Sequence, residues 1–319
     1  MCRSITTAAQ SSGWLCDALA LADGGEGTLD ALGGVNRTTT VRGPLGRTIS
    51  AGWRLTGGTA VIEMAKASGI SLVGGAAGNR PIDASTVGTG ELITAALAGG
   101  AKRIIVCLGG SATTDGGQGA LDAVSAAGAL NRLRHVELLV ACDVQTRFVD
   151  AASVFGPQKG ASPTHVAFLT RRLERQVQLY SERYGVDVGD VPGGGAAGGL
   201  AGALLAVGGV LVPGFDLVAD ELHLADRISG ADLVITGEGH LDPQSFAGKV
   251  VGGVAAMAHH AGVPCVAIVG GADPGLRRHP GFPAGFDYVS LVERFGEDQA
   301  MWATPACIED AAVELFVDR

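Results

Sequence analysis

The chain has 319 residues, a length that suits two α/β domains better than one small core. Its formal net charge of −9, with no run of Lys and Arg, disfavours nucleic-acid binding, which needs local positive charge. The 51 glycines against 12 prolines favour many tight loops over disorder.

Strand-like and helix-like runs alternate along the chain, which predicts a mostly parallel sheet with crossover helices. Apolar runs predict strands at 59–65, 102–108, 136–142, 233–235 and 263–269. Helical spacing predicts helices at 89–97, 119–130, 165–184, 200–207 and 250–261. The run 18–22 fits either a strand or the end of a helix. The alternating stretch 38–55 turns at Gly43-Pro-Leu-Gly46 and predicts a β-hairpin.

These elements predict an α/β fold with two domains around a cleft. One domain is expected to be Rossmann-like or flavodoxin-like with a mostly parallel sheet, and nucleotide-binding in character, formed by residues 1–35 together with 230–319. The other is expected to be smaller and to carry antiparallel β pairs. Residues 36–229 are expected to form the second α/β domain, with Gly-rich phosphate and substrate loops.

The cysteines and one uncharged stretch bear on the compartment. Cys107, Cys142 and Cys265 lie inside apolar runs, and the six cysteines contain no C-x-x-C pair, which predicts reduced thiols of a cytoplasmic protein. The stretch 191–215 has no charge but is rich in glycine, so it favours a loop leading into a buried helix over a membrane span. The N-terminus does not have the pattern of a signal peptide.

Polar loops follow four of the apolar runs, which suggests one shared ligand site at the ends of strands. The glycines can bring backbone N–H groups close to a phosphate, and the carboxylates can hold a metal ion. The candidate residues in these loops are Asp23, then Gly109, Gly110, Ser111, Thr113 and Asp115, then Asp143, and finally Thr236, Gly237, Glu238, Asp242 and Lys249.

Two further segments and three open alternatives complete the candidate site. Gly193, Gly194 and Gly195 open a glycine loop, but they fit a dinucleotide fingerprint by letters alone. Lys159 is either a ligand-binding lysine or a solvated loop residue. Asp115 is either catalytic or the cap of the helix that follows it. His240 is interpreted as a surface histidine.

Taken together, the loops resemble those of the class I glycerate kinases. The resembling pieces run in order from Ala22 to Lys249. They are Ala22-Asp-Gly-Gly-Glu-Gly-Thr28, Gly43-Pro-Leu-Gly46, Ala60-Val-Ile-Glu-Met-Ala65 with Ala67-Ser-Gly69, Gly88-Thr-Gly-Glu-Leu-Ile93, Gly109-Gly-Ser-Ala-Thr113 with Asp115-Gly-Gly117, Ala141-Cys-Asp-Val144, Phe155-Gly-Pro-Gln-Lys-Gly-Ala161, Val191-Pro-Gly-Gly-Gly-Ala-Ala-Gly-Gly199, and Ala231-Asp-Leu-Val-Ile-Thr-Gly-Glu-Gly239 with Asp242 and Gly248-Lys249.

The resemblance implies phosphoryl transfer from ATP to D-glycerate, with Mg²⁺, in two α/β domains around a cleft. The product is expected to be 2-phosphoglycerate or 3-phosphoglycerate. No membrane or nucleic-acid partner is expected, and the oligomeric state, a homodimer included, is left open. Phosphoryl transfer asks mainly for positioning and charge neutralisation.

The candidate residues can be given roles in such a reaction. The loops at 109–117 and 193–195 would hold phosphate oxygens, and Lys159 and Lys249 would bind the transferring phosphate or the glycerate carboxylate. Asp143, Glu238 and Asp242 are the candidate magnesium ligands. Asp23 or Asp115 would orient the attacking hydroxyl.

The opening of the chain departs from the family pattern. The family begins with a strand and an Asp-Ser-Phe-Lys-Gly-type loop, whereas this chain begins Met1-Cys-Arg-Ser-Ile-Thr-Thr and contains no such loop. An alternative function therefore stays open: a catalytically weak homologue that binds a nucleotide or metabolite and acts as a regulator.

Overall fold

The computed structural model describes residues 1–246 and 248–317, and the chain divides into two compact units. The smaller unit joins residues 1–23 to residues 219–319, and the larger unit is the continuous stretch 24–218. The borders between the units therefore lie between residues 23 and 24 and between residues 218 and 219. The sequence suggested borders after residue 35 and before residue 230.

The described residues form strands and helices in alternation. The strands are β1 (Arg37–Arg42), β2 (Thr48–Thr56), β3 (Thr59–Glu63), β4 (Arg103–Cys107), β5 (Glu137–Ala141), β6 (Val210–Val212), β7 (Val234–Thr236), β8 (His240–Leu241), β9 (Cys265–Val269), β10 (Gly271–Ala272) and β11 (Phe286–Ser290). The helices are α1 (Cys2–Ser11), α2 (Thr28–Ala31), α3 (Ala65–Ser68), α4 (Val87–Ala98), α5 (Gln118–Ala126), α6 (Leu130–Leu133), α7 (Ala151–Phe155), α8 (Pro163–Tyr184), α9 (Ala196–Ala206), α10 (Gly214–Glu221), α11 (Leu224–Ser229), α12 (Val250–Ala261), α13 (Leu291–Phe295), α14 (Glu297–Trp302) and α15 (Thr304–Val317).

The larger unit contains a six-stranded sheet in the order β1-β2-β3-β4-β5-β6. Strands β3 to β6 are parallel, while β1 pairs with β2 and β2 with β3 in antiparallel fashion. The predicted hairpin is therefore confirmed, but it lies in the larger unit and extends the parallel sheet. The antiparallel pairs therefore lie within residues 36–229, where the sequence predicted the hairpin, but the unit that contains them is the larger of the two.

Helices cover both faces of this sheet, which explains why its central strands are apolar throughout. Successive side chains of a strand point to opposite faces. Ile62 and Ile104 accordingly join the large core formed with α4, α5 and α9, whereas Val61 and Ile105 pack on the other side with Leu29 of α2. The result is a layered α/β unit in which only the strand ends remain available for ligand loops.

The smaller unit has a parallel sheet in the order β11-β9-β7 and a short parallel pair of β8 and β10. Its core joins the two distant ends of the chain. Ile5 and Ala8 of α1 pack with Ile268 of β9 and with Ala311 and Phe316 of α15. The amphipathic spacing of α1 buries one face of that helix against α15.

Most predicted elements are present, with one exception. Helix α12 matches the predicted bounds 250–261, and α8 begins only two residues before the predicted helix because Ser162 caps it. The run 18–22 is neither strand nor helix. An apolar run becomes a strand only if a neighbour supplies ladder hydrogen bonds, and none of the described strands pairs with this one.

The stretch 191–215 contains α9, β6 and the start of α10 in place of one long apolar helix. Among the described residues, no helix combines the length and the apolar character that crossing a bilayer requires.

Candidate functional site

The carboxyl ends of β3, β4 and β5 lie at one edge of the large sheet, because the three strands are parallel and adjacent. Three polar segments follow them: Glu63 at the end of β3, the loop 109–117 after β4, and the loop beginning at Cys142 and Asp143 after β5. Ligands of open α/β sheets bind at this edge. The larger unit therefore brings together the predicted loop 109–117 and Asp143.

The loop 109–117 has its carbonyl groups turned toward the protein. Gly110 O accepts from Ile70 N at 2.7 Å, and Gly116 O accepts from the Tyr180 hydroxyl at 2.7 Å. By contrast, the amides of Gly109, Gly110 and Ser111 donate to no acceptor within residues 1–246 and 248–317. Unpaired backbone N–H groups in a glycine-rich turn form an anion-binding surface.

Close backbone contact explains two of these glycines. A Cβ on Gly109 would lie 3.0 Å from the Cα of Gly25, and one on Gly110, which has φ of +58°, would collide with the Glu26 carboxylate. The loop 24–27 thus lies directly on the loop after β4. Glu26 was not among the predicted site residues, although the acidic Gly-rich segment that contains it was.

Asp115 is buried, and its carboxylate is fully engaged by the protein. Its Oδ2 accepts from Thr86 N at 2.8 Å, Thr86 Oγ1 at 2.9 Å, Ser85 Oγ at 3.2 Å and Gly119 N at 3.2 Å, while Oδ1 accepts from Gly117 N at 3.1 Å. Ser85 and Thr86 lie just before α4, Gly117 lies just before α5, and Gly119 is in the first turn of α5. Of the two roles the sequence left open, this geometry fits the helix cap.

Lys159 is 4% exposed, so the solvated-loop alternative is wrong. Its Nζ donates to the carbonyl of Thr113 at 2.7 Å. Burial lowers the pKa of Lys159 to about 7, although the negative charge of Asp115 opposes this shift. The amine therefore supports the loop 109–117 from within, and the hydroxyl of Thr113 faces the carbonyl of Ala197 at 3.5 Å.

Asp143 is exposed at the end of β5. Its Oδ1 accepts from the amide of Gly214 at 2.7 Å, at the start of α10. Gly24 has φ of +85°, and a Cβ there would lie 2.9 Å from that of Ala141 and 2.5 Å from the Cα of Gly214. One carboxylate oxygen of Asp143 is therefore held by the start of α10, while the side chain remains exposed.

The glycines at 193–195 are buried, and two of their amides are already used. Gly194 N donates to Val191 O at 3.0 Å and Gly195 N to Thr146 O at 2.9 Å. Only Gly193 of the three lacks such a bond among the described residues. Because the amides of Gly194 and Gly195 already donate to protein carbonyls, they do not fit the expected phosphate loop. Gly195 is also packed tightly against the carbonyl of Arg147.

The remaining candidates lie in the smaller unit, around the end of β7. Thr236 is buried, Gly237 is pressed against the carbonyl of Ile268, and Lys249 is exposed beside α12. The Oε1 atom of Glu238 is buried without a hydrogen-bond partner among the described residues. An orphaned carboxylate oxygen is costly and marks a position that a ligand or ion can satisfy.

Asp242 and His240 make local contacts. The Oδ1 of Asp242 accepts from Gln244 N at 2.8 Å and from Ser245 N at 3.0 Å, which holds the turn after β8. The Nε2 of His240 lies 2.9 Å from the Oδ1 of Asp273, and the side chain is exposed, as predicted for a surface histidine.

The predicted metal ligands are divided between the two units. Asp143 belongs to the larger unit, whereas Glu238 and Asp242 belong to the smaller one. Within the described part of the chain, no three His, Cys, Asp or Glu residues are grouped so that they could hold a metal ion. A single orphaned carboxylate such as Glu238 still suits Mg²⁺, which often binds one or two carboxylates together with substrate phosphates.

Glu63 is a further residue that the site prediction missed. It is 2% exposed, and its Oε1 accepts from the amide of Leu29 at 2.8 Å, while Lys66 Nζ lies 3.7 Å from its Oε2. It therefore holds the start of α2 and with it the loop 24–27. Its sequence signal was a single acidic residue at the end of an otherwise apolar strand.

The fold and its strand-end loops define an α/β protein with a glycine-rich loop after a central parallel strand. Comparison with known proteins gives the family. The profile described as "Glycerate kinase family" matches residues 1–129 and 121–316. The chain therefore belongs to the glycerate kinase family, which is a family of enzymes.

Individual relatives agree with this assignment. The chain is 39% identical to a glycerate kinase of Halalkalibacterium halodurans, covering 93% of this chain and 87% of the relative. It is 39% identical to the glycerate 2-kinase of Escherichia coli K12, covering 87% and 82%. The crystal structure of a putative glycerate kinase 2 from Salmonella typhimurium LT2 superposes with a TM-score of 0.81 at 34% identity, covering 99% of this chain and 95% of the other.

Proposed function

We propose that this enzyme transfers the γ-phosphate of ATP to D-glycerate and forms 2-phosphoglycerate. The observation that carries the proposal is the loop 109–117. The protein holds the carbonyls of Gly110, Ala112, Thr113 and Gly116, while the amides of Gly109, Gly110 and Ser111 find no acceptor among the described residues. Such a loop suits the charge neutralisation that phosphoryl transfer requires. The name of the Escherichia coli relative supports the 2-position of the product.

The other candidate residues are assigned roles according to the charge and exposure of their side chains. Asp143 is exposed and charged beside the loop, which suits a carboxylate that orients the attacking hydroxyl or a magnesium-bound water. Asp23 shares this candidacy. Thr236, Gly237 and Lys249 are assigned to the nucleotide phosphates, since Lys249 supplies an exposed positive charge.

Magnesium is assigned to the nucleotide, with Glu238 as the carboxylate that completes its coordination. The unpaired Oε1 of Glu238 supports this choice. When bound, the ion neutralises charge on the phosphates. Asp242 is a weaker candidate because its Oδ1 already accepts bonds from the turn that follows it.

Lys159 and Asp115 are assigned to the support of the loop. Lys159 holds the Thr113 carbonyl, and Asp115 holds the starts of α4 and α5. We therefore expect replacement of either residue to reduce activity through the shape of the loop.

The proposed use of ATP suggests that the enzyme acts in the cytoplasm. The free cysteines are compatible with that compartment, where thiols are kept reduced.

The test is a coupled ADP-release assay with ATP, Mg²⁺ and D-glycerate, followed by ³¹P NMR of the product. A phosphate on C2 couples to one carbon-bound proton and gives a doublet, whereas one on C3 couples to two and gives a triplet. Glycerate-dependent ADP release with a doublet supports the proposal. A triplet would correct the position of transfer, and nucleotide binding without turnover would favour the regulator.

A further inference from the structure

Side chains, as well as backbone, hold the carbonyls of the loop 109–117. The Nδ2 of Asn79 donates to Ala112 O at 2.9 Å, next to the Thr113 carbonyl that Lys159 holds at 2.7 Å. The same Nδ2 also donates to Lys159 O at 2.9 Å. One amide group therefore joins the loop after β4 to the turn that contains Lys159.

The environment of Oδ1 indicates that Asn79 acts through its amide nitrogen, which is the hydrogen-bond donor. This oxygen is buried and has no hydrogen-bond partner in the described part of the chain. An unsatisfied buried acceptor costs free energy. In this position the Oδ1 of Asn79 stays unsatisfied, whereas both protons of the amide nitrogen are donated to carbonyls that are distant in sequence.

Neighbouring contacts show why these carbonyls must be held. Ile70 N binds Gly110 O at 2.7 Å, and Ala112 N binds Ser68 O at 2.9 Å, so the segment 68–70 fixes one end of the loop. Asn79 fixes the next peptide. With the carbonyls of Gly110 and Ala112 both held by the protein, the amides of Gly109, Gly110 and Ser111 stay without an acceptor among the described residues.

We propose that Asn79 is a positioning residue, whose amide group holds the Ala112 carbonyl and the Lys159 turn so that the amides of Gly109–Ser111 face the transferring phosphate. This inference rests on the proposed function. Asn79 acts through the loop and is not assigned a contact with substrate.

Three substitutions separate the donor role from a purely structural one. Asn79→Ala removes the donor and leaves two carbonyls unpaired. Asn79→Asp keeps the size but sets an acceptor against two carbonyl oxygens, so its effect is expected to be larger. Asn79→Ser, which keeps one hydroxyl donor, is the milder variant to use if the others fail to fold.

Asn36→Ala is the matched control. Asn36 also donates its Nδ2 to a main-chain carbonyl, that of Leu55 at 3.1 Å, but in the hairpin of β1 and β2. Both side chains thus make an amide-to-backbone bond, and only one of them contacts the loop 109–117.

The experiment combines hydrogen exchange with steady-state kinetics on the full chain. Exchange of a peptide covering 108–118 is expected to become about tenfold faster in Asn79→Ala, as loss of a hydrogen bond allows local opening, and to be unchanged in Asn36→Ala. We expect kcat to fall about tenfold in Asn79→Ala and further in Asn79→Asp, with a smaller change in the KM for glycerate.

Two results would overturn the inference: loop exchange and kcat that match those of Asn36→Ala, or an Asn79→Asp variant as active as wild type. Failure of the proposed function is a separate result. In that case the wild-type chain shows no glycerate-dependent turnover, while loop exchange still decides whether Asn79 holds the loop.

Discussion

Asp143 is exposed, and one of its carboxylate oxygens is held by the amide of Gly214. Its substitution is therefore the most direct test of the candidate site at the level of one residue. In Asp143→Asn the side-chain oxygen can still accept from Gly214 N, so the local structure is kept while the charge is lost. We expect turnover to fall about a hundredfold, as is common when a charge-stabilising group is removed. Steady-state assays measure this.

The control for that substitution is Asp122→Asn. Asp122 is an exposed carboxylate on α5 that accepts from the side chain of Gln118. Equal activity of the two variants would remove Asp143 from the site.

Lys159 makes the stability of the protein depend on pH. Burial lowers its pKa to about 7 from an ordinary 10.5, so between these values the unfolded chain binds more protons than the folded one. The contribution of Lys159 to stability therefore rises with pH across this window, by at most about 1.4 kcal/mol per unit, and the full cost of burying the charge is present below pH 7. Above about pH 9 the buried thiols of Cys107 and Cys265 act in the opposite direction, because burial raises their pKa. Urea unfolding at several pH values between about 7 and 8.5 should show the rise in wild type and a flatter profile in Lys159→Met.

Lys102→Met is the comparison for that measurement, since Lys102 is exposed. A slope in Lys159→Met as steep as in Lys102→Met would show that another group causes the pH dependence.

At the level of elements, α4 and α5 cross where Gly90 meets Ala120. A Cβ on Gly90 would lie 2.7 Å from the Cα of Ala120, so the helices approach more closely than any larger residue allows. Gly90→Ala should therefore destabilise the protein by about 1–3 kcal/mol, the usual cost of overpacking. Chemical denaturation measures the change.

The contrasting glycine is Gly230, which follows α11. A Cβ there would have no neighbour closer than the carbonyl of Asp226 at 3.8 Å. Gly230→Ala should change stability by no more than about 0.5 kcal/mol. Similar losses in both variants would mean that the contact of α4 with α5 is not the cause.

Sequence patterns predicted elements well where local periodicity determines them. Helix α12 and strands β3, β4 and β5 follow directly from the spacing of their apolar residues. The run 18–22 failed because strand formation depends on a neighbour, which a local pattern does not reveal.

The loops of the candidate site were predictable from the sequence, and the contacts of individual residues were less so. Glycines and acids at strand ends predicted the loop 109–117 and Asp143, and the structure places both at the carboxyl ends of adjacent parallel strands, while their roles stay predictions. The engaged amide of Gly195, the bond from Lys159 to Thr113 and the bond from Asn79 to Ala112 all depend on residues distant in sequence. No local pattern encodes which donor meets which carbonyl.

At the level of the whole molecule, the cysteines differ in reactivity according to burial. Cys2 and Cys16 are exposed, whereas Cys107, Cys265 and Cys307 are buried. Burial raises the pKa of Cys107 and of Cys265 to about 12, and only the thiolate reacts with alkylating agents.

Iodoacetamide at a pH of about 8 should therefore label Cys2 and Cys16 first in the native protein, while the three buried thiols react only after unfolding. Peptide mass spectrometry at successive times distinguishes the two groups. Rapid native labelling of Cys107 would contradict the burial of β4.

The division of the chain into two units affects how the protein forms on the ribosome. Residues 24–218 are contiguous, so the larger unit can fold as soon as they emerge, but the smaller unit needs both ends of the chain. The apolar face of α1 must wait for α15. At a synthesis rate of about 5–20 residues per second, that face remains uncovered for roughly 15–60 seconds, long enough for a chaperone to bind it.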